Sequence, residues 1–224
     1  MCFSAEASLI AAAVLIPAGT LSIARAYTTD RRYLPLAALP LLFGLQQAFE
    51  GLVWQANGNA VLVERYSLAY MFFSWLAWPI WVPFSVYFLE PNRRKPLYLV
   101  LAIIGGMIGA MQYFPYFAHD GWLTTQFLPH VIVYNGKELF DYIIGRTTTY
   151  SVYVAIVVGS LLLSSDVNIR IFGMLVGAVT VVTYVFFSYA YISVFCFGGA
   201  IMSLYLVWMI FGGRRQLSVA RQNA

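Results

Sequence analysis

The sequence predicts an all-α integral membrane protein with seven transmembrane helices and a small outer cap. Three observations predict it. Of the 224 residues, 61% are hydrophobic and only 10% are charged, whereas a soluble domain is roughly half apolar and a quarter charged. The apolar residues fall into seven stretches close to the ~20 residues that a ~30 Å hydrocarbon core requires. Clusters such as Thr28-Thr29-Asp30-Arg31-Arg32 and Glu90-Pro91-Asn92-Arg93-Arg94-Lys95 divide them. A backbone in hydrocarbon must satisfy its own hydrogen bonds, so the spans read as helices. Disorder, a collagen repeat, a disulfide scaffold and a water-soluble enzyme are excluded.

The expected spans are Ala5–Ala24, Tyr33–Trp54, Tyr66–Leu89, Leu97–Tyr116, Thr147–Leu163, Ile169–Tyr189 and Ile192–Phe211. The first reads as a retained helix and not a cleaved signal, because Met1–Glu6 carries an acid and no positive charge. Seven crossings place Arg25, Arg31, Arg32, Arg93, Arg94, Lys95, Arg170, Arg214, Arg215 and Arg221 on one side. Arg65, Lys137 and Arg146 fall on the other. By the positive-inside rule the N-terminus is outside and the C-terminus cytoplasmic. The net charge of +4 therefore encodes topology, and a nucleic-acid partner is not expected. The lipid bilayer is the expected partner, in a cell membrane and most readily a bacterial inner membrane. Residues 1–213 form one domain and 214–224 a basic cytoplasmic tail. The long connection at 117–146 holds Val131-Ile132-Val133-Tyr134, then Asn135-Gly136, then Lys137–Phe140. β-rich residues around Asn-Gly predict a hairpin turning there, lying over the outer helix ends, with an interfacial helix or plain loop cap as the competing reading.

Polar groups inside a membrane are costly and face the interior, so they are functional candidates. The second span holds Gln46, Gln47, Glu50 and Trp54, whose spacing places them on one helix face about a turn below the outer surface. Glu50 is the candidate base or ligand and Gln47 the amide that orients it. A structural hydrogen-bond knot is the competing reading. Cys2, His119, Asp120, His130 and Cys196 fall at the same outer level. Thiol, imidazole and carboxylate together can bind zinc or copper, with Cys2, His130, Cys196 and Glu50 as the set, although no spaced metal motif is present. A disulfide, a metal pair or two unrelated thiols all fit Cys2 and Cys196. The third span carries Trp75, Trp78, Pro79, Trp81 and Pro83, so it should kink and leave carbonyls without donors. An aromatic-lined cavity at Trp78 is an alternative to simple packing. The seventh span has no lysine, which excludes a retinal Schiff base. Gly105, Gly106 and Gly109, and Gly173 with Gly177, offer close-packing helix surfaces and a homo-oligomer.

These residues resemble an uncharacterised family of bacterial seven-helix membrane proteins. The resemblance lies in Met1-Cys2-Phe3-Ser4-Ala5, Pro40–Phe43 leading to Gln46-Gln47, Glu50-Gly51 and Trp54, Trp78–Pro83, His130 with Tyr134, and Ser193–Phe197. Members often have Trp where this chain has Phe195. The resemblance implies a shared fold and no activity, and it directs attention to the same outer group, with Tyr134 joining Gln46, Trp54 and Trp78 as ligand-binding candidates. Three functions are expected in order: an outer polar site for a small molecule, with or without metal; a non-catalytic sensor, assembly or partner subunit; and a small-solute carrier. Whether the protein is an enzyme is left open. The carrier is disfavoured because the inner halves of the spans hold few polar residues beyond Ser160, Ser164 and Ser165.

Overall fold

The structure, a computed structural model, describes residues 4–119, 121–137, 139–143 and 145–212. Cys2, Asp120 and the basic tail lie outside the described residues. Seven long helical segments follow one another: α1 (Ala5–Thr29), α2 (Arg31–Gln55), α3 (Ala60–Tyr87), α4 (Lys95–Ala118), α5 (Arg146–Leu162), α6 (Val167–Phe186) and α7 (Ser188–Gly212). All but α5 are long and apolar enough to cross a membrane. With 17 residues, α5 is ~26 Å long at 1.5 Å per residue, short of a full hydrocarbon core. Its first turn, Arg146-Thr147-Thr148-Thr149, is polar, and so its apolar length is shorter still. The chain is that of a multi-pass helical membrane protein.

Helices α1 and α2 run antiparallel in close contact. A Cβ on Gly51 would meet the Leu9 side chain, one on Gly44 would meet Ile16, and one on Gly19 would overlap the Leu41 backbone. Small residues at these crossings let the helix axes approach, which compensates in lipid for the missing hydrophobic drive. Glycines of α4 serve the same purpose against α3, where Gly105 meets the Pro79 carbonyl and Gly109 that of Trp75. Gly173 likewise packs on Leu161 of α5 and Gly177 on Val158. The stripes expected to serve an oligomer are used inside the protomer.

Prolines shape α3 as expected, through a specific device. The helix is α-helical at Ala60–Met71, π-helical at Phe72–Ala77 and α-helical again from Trp78. The Trp78 amide bonds the Phe73 carbonyl five residues back, and the next amide in that pattern would be Pro79, which has no N–H. The Ser74 carbonyl is thereby left without a backbone donor, and the Tyr153 hydroxyl of α5 donates to it at 2.6 Å. The carbonyls four residues before Pro79 and Pro83 are those of Trp75 and Pro79. These are the ones that Gly109 and Gly105 approach, so that glycine Cα–H groups face them. Residues of α4 and α5 thus satisfy the freed carbonyls.

A hairpin caps one end, formed by β1 (Leu123–Leu128) and β2 (Val131–Gly136). It does not turn at Asn135-Gly136. Leu128 pairs with Val131, so the turn is Pro129-His130, while Asn135 and Gly136 pair with Thr124 and Leu123 at the open end. Gly136 lies outside the positive-φ glycines, so it lacks the backbone that an Asn-Gly turn requires. It is needed for space, because a Cβ there would collide with the Tyr116 ring and hydroxyl. The expected second strand is instead a short 3₁₀ turn at Leu139–Tyr142. Strand β2 is buried on both faces from Val131 to Tyr134. Val131 and Val133 pack on Ala190 and Val194, and Tyr134 stacks on Tyr70 with ring centroids 4.8 Å apart.

Candidate functional site

Glu50 lies five residues before the end of α2, ~8 Å along the helix, at the hairpin end. Its side chain is buried to 1% exposure. Ser193 of α7 donates to one carboxyl oxygen and Ser8 of α1 to the other at 3.4 Å. One carboxyl therefore links three helices, through partners 42 and 143 positions away in the chain. The Gln47 amide stands beside it with a hydrogen-bonding contact to the carboxyl, and its oxygen has no donor although the residue is fully buried. The helix spacing that placed Gln46, Gln47 and Glu50 together holds, but their partners differ. Glu50 faces α1 and α7, whereas Gln46 faces α3.

Gln46 is saturated. Its amide nitrogen donates to Ser74 Oγ at 2.9 Å, and its oxygen accepts from Trp78 Nε1 at 3.1 Å. Trp78 in turn stacks on Phe43, centroids 4.0 Å apart, which makes Trp78 a wall and not the lining of an open cavity. Ser74 Oγ also lies 3.5 Å from Cys196 Sγ. Cys196 is buried, has no disulfide partner among the described residues, and lies within electrostatic range of Glu50. Tyr70 completes the group, its hydroxyl reaching the Ile192 carbonyl at 3.5 Å.

From the hairpin, Tyr134 brings a hydroxyl into the same neighbourhood. It is buried without a hydrogen-bond partner, and it senses both Glu50 and Cys196. Burial first, with these neighbours adding to it, pushes its phenol well above the usual range, so it stays a donor. Trp54 lies further toward the hairpin, edge-on to Phe127 at 5.7 Å, with its indole nitrogen unpaired. His130 is not brought in. It occupies the hairpin turn, exposed, four residues from Tyr134 and so ~13 Å away along an extended strand. His119 stacks on Trp122. Among the described residues, no three His, Cys, Asp or Glu side chains gather as a metal site needs. The Cys2 part of that expectation, and with it a Cys2–Cys196 bond, lies outside the described residues.

Sequence reasoning missed Ser8, Ser193, Ser74, Tyr70 and Tyr153. It also missed a second cluster at the opposite end. Glu90, 4% exposed, accepts from Ser164 Oγ at 2.6 Å, the Ser165 amide at 2.6 Å and Ser165 Oγ at 2.7 Å. Arg94 adds bonds to the Leu163 carbonyl and Ser165 Oγ, both at 3.2 Å. Each carboxyl oxygen there has a donor, so this cluster clamps two connections together.

Fold and site thus define a multi-pass helical membrane protein with a buried acid–amide–hydroxyl cluster beneath a β-hairpin. The chain belongs to DUF6629, a family of unknown function whose family model matches residues 1–223. No curated protein and no solved structure matches it.

Proposed function

We propose that this protein crosses the membrane seven times, with its N-terminus and hairpin outside, and binds a small hydrogen-bonding molecule in the cluster around Glu50. The observation that carries this reading is Gln47, fully buried, with its amide in contact with the Glu50 carboxyl and its oxygen given no donor. An unsatisfied buried polar group costs about 1–3 kcal/mol, and a ligand bonded to it recovers that. The Tyr134 hydroxyl is a second such group. In this account Glu50 anchors the ligand or takes a proton from it, Gln47 orients it, and Gln46, Trp78 and Tyr134 shape the wall. Trp54 closes the hairpin side. Zinc or copper held by Glu50, Cys196 and Cys2 is the metal form of the same proposal, and His130 would join only through a movement of the hairpin. A solute carrier fits less well, because the buried hydroxyls of Ser22, Ser85, Ser160 and Ser203 bond carbonyls of their own helices and line no continuous path.

The test is native mass spectrometry with metal analysis on protein purified without chelator. The wild type is expected to carry a near-stoichiometric organic molecule or metal that Glu50→Gln loses. A wild type without bound species would overturn the proposal and leave the non-catalytic sensor or partner-subunit reading.

A further inference from the structure

The end of the molecule opposite the hairpin draws its connections together around the start of α6. Arg94 ties the α3–α4 connection to Leu163 and Ser165. Tyr33 of α2 donates to Asp166 at 3.0 Å, and Tyr205 of α7 donates to Asn168 at 3.4 Å. Arg31 and Arg32 of α2, Arg93, Arg94 and Lys95 at the start of α4, and Arg170 of α6 are thereby held at one end, with Arg25 about a turn before the end of α1. Three acids share this end, and each is already engaged. Asp30 pairs with Arg32 at 2.9 Å. Glu90 is buried among its serine donors. Asp166 caps α6 through the Asn168 amide while it accepts from Tyr33. Among the described residues, Arg25, Arg31, Arg93 and Arg170 are exposed with no carboxylate in salt-bridge reach. The hairpin end differs, because Arg65, Lys137 and Arg146 stand there with the acids Glu6, Glu50 and Glu64.

We propose that this end binds the phosphate headgroups of anionic phospholipids and so selects the lipid around it. Two observations favour a lipid over a soluble anion. Apolar side chains are exposed directly beside the cations, Leu97 at 47%, Leu163 at 56% and Val167 at 55%. A headgroup held at Arg93 or Arg170 therefore leaves its acyl chains against them. Aromatic rings of the kind that settle at membrane interfaces also carry two of the cations. The Arg31 guanidinium lies 4.2 Å over the Tyr27 ring and the Lys95 ammonium 5.6 Å over Tyr87. A cation on an aromatic face keeps its charge, whereas one in a salt bridge is neutralised, so both remain available to phosphate oxygens. Each Lys or Arg close to an anionic membrane surface is worth about fivefold in binding. This surface lies at the far end from the Glu50 cluster and needs nothing bound there.

The test is native mass spectrometry of the full chain in detergent, titrated with phosphatidylglycerol and with phosphatidylcholine of the same acyl chains. The wild type is expected to bind phosphatidylglycerol about tenfold more tightly. Arg31→Gln/Arg93→Gln/Arg170→Gln removes three exposed cations and should abolish that preference. Arg31→Lys/Arg93→Lys/Arg170→Lys should keep it, because charge carries it. Arg65→Gln/Lys137→Gln at the hairpin end should leave it unchanged. In the wild type the preference should also weaken as salt rises, since exposed charges are screened, and this measurement needs no variant. Equal binding of the two lipids by the wild type, a preference insensitive to salt, or an undiminished preference in the triple glutamine variant would overturn the proposal. Displacement of phosphatidylglycerol by an equal concentration of inorganic phosphate would overturn it too, because the surface would then read a free anion.

Discussion

Tyr153 replaces, from a neighbouring helix, the backbone donor that Pro79 removes, since its hydroxyl bonds the Ser74 carbonyl at 2.6 Å. Tyr153→Phe should therefore cost about 1–3 kcal/mol, the penalty for a buried unsatisfied carbonyl. In a Pro79→Ala background, where an amide can take that place, the same change should cost less. A double-mutant cycle on unfolding in mild detergent measures the coupling, and additive costs would refute the assignment. Tyr134 supports a pH prediction. Its folded-state phenol is held above the usual range, so the unfolded chain releases that proton first, and stability falls as pH rises past about 10. Tyr134→Phe should flatten that alkaline limb in pH-dependent melts. Gln46, Gln47 and Glu50 were legible in the sequence because amides and acids are rare in apolar spans and helix spacing aligns them. Ser8, Ser193 and Tyr153 were not. Hydroxyls are common in such helices and usually bond their own helix, and here their partners lie 42, 143 and 79 positions away.

Among elements, the helices were legible to within about six residues of their ends, the largest misses being the end of α1 and the start of α3, because composition and length decide them. The hairpin was legible in existence but not in register. Asn135-Gly136 is a strong local turn signal, yet the packing of Gly136 on Tyr116 and the burial of β2 override it. Pro129, which cannot donate to a ladder, takes the turn. The glycine contacts of α4 give a sharp comparison. Gly105→Ala would drive a Cβ into the Pro79 carbonyl, whereas a Cβ at Gly106 meets only the outer atoms of Ile80. Overpacking costs about 1–3 kcal/mol, so Gly105→Ala should lower the melting temperature and Gly106→Ala should barely change it. At the opposite end, Glu90→Leu leaves the hydroxyls of Ser164 and Ser165 and the Ser165 amide without their acceptor. It should cost at least about 2 kcal/mol, measured by denaturant titration in detergent, and Glu90→Gln less.

At the scale of the molecule, the long segments alternate between two ends, each fixed by its own contacts. The hairpin meets the starts of α3 and α7, through Ser67–Thr125 and through Val131 and Val133 on Ala190 and Val194. The Glu90 clamp joins the α3–α4 and α5–α6 connections, and Tyr33 reaches Asp166 beside it at 3.0 Å. The proposed seven crossings would put the hairpin and the α3–α4 connection on opposite sides of the membrane. A membrane-impermeant thiol reagent applied to intact cells should label Gln126→Cys of the hairpin and not Arg93→Cys, both in a Cys2→Ser/Cys196→Ser background. Labelling at both positions would remove the proposed topology.

The central claim is that the cluster around Glu50 is built for a ligand and is more than a knot between helices. The most direct measurement is the thermal stability of Gln47→Leu as purified. Leucine replaces an amide whose contact within the protein is with the Glu50 carboxyl and whose oxygen has no donor. In a purely structural knot the lost contact is offset by removal of the unsatisfied oxygen, so the change is near neutral or stabilising. A ligand site predicts the reverse, because loss of the bound molecule removes the stabilisation that binding contributes. A melting temperature below that of the wild type, with loss of the bound species, is the result this account predicts. An equal or higher melting temperature would contradict it.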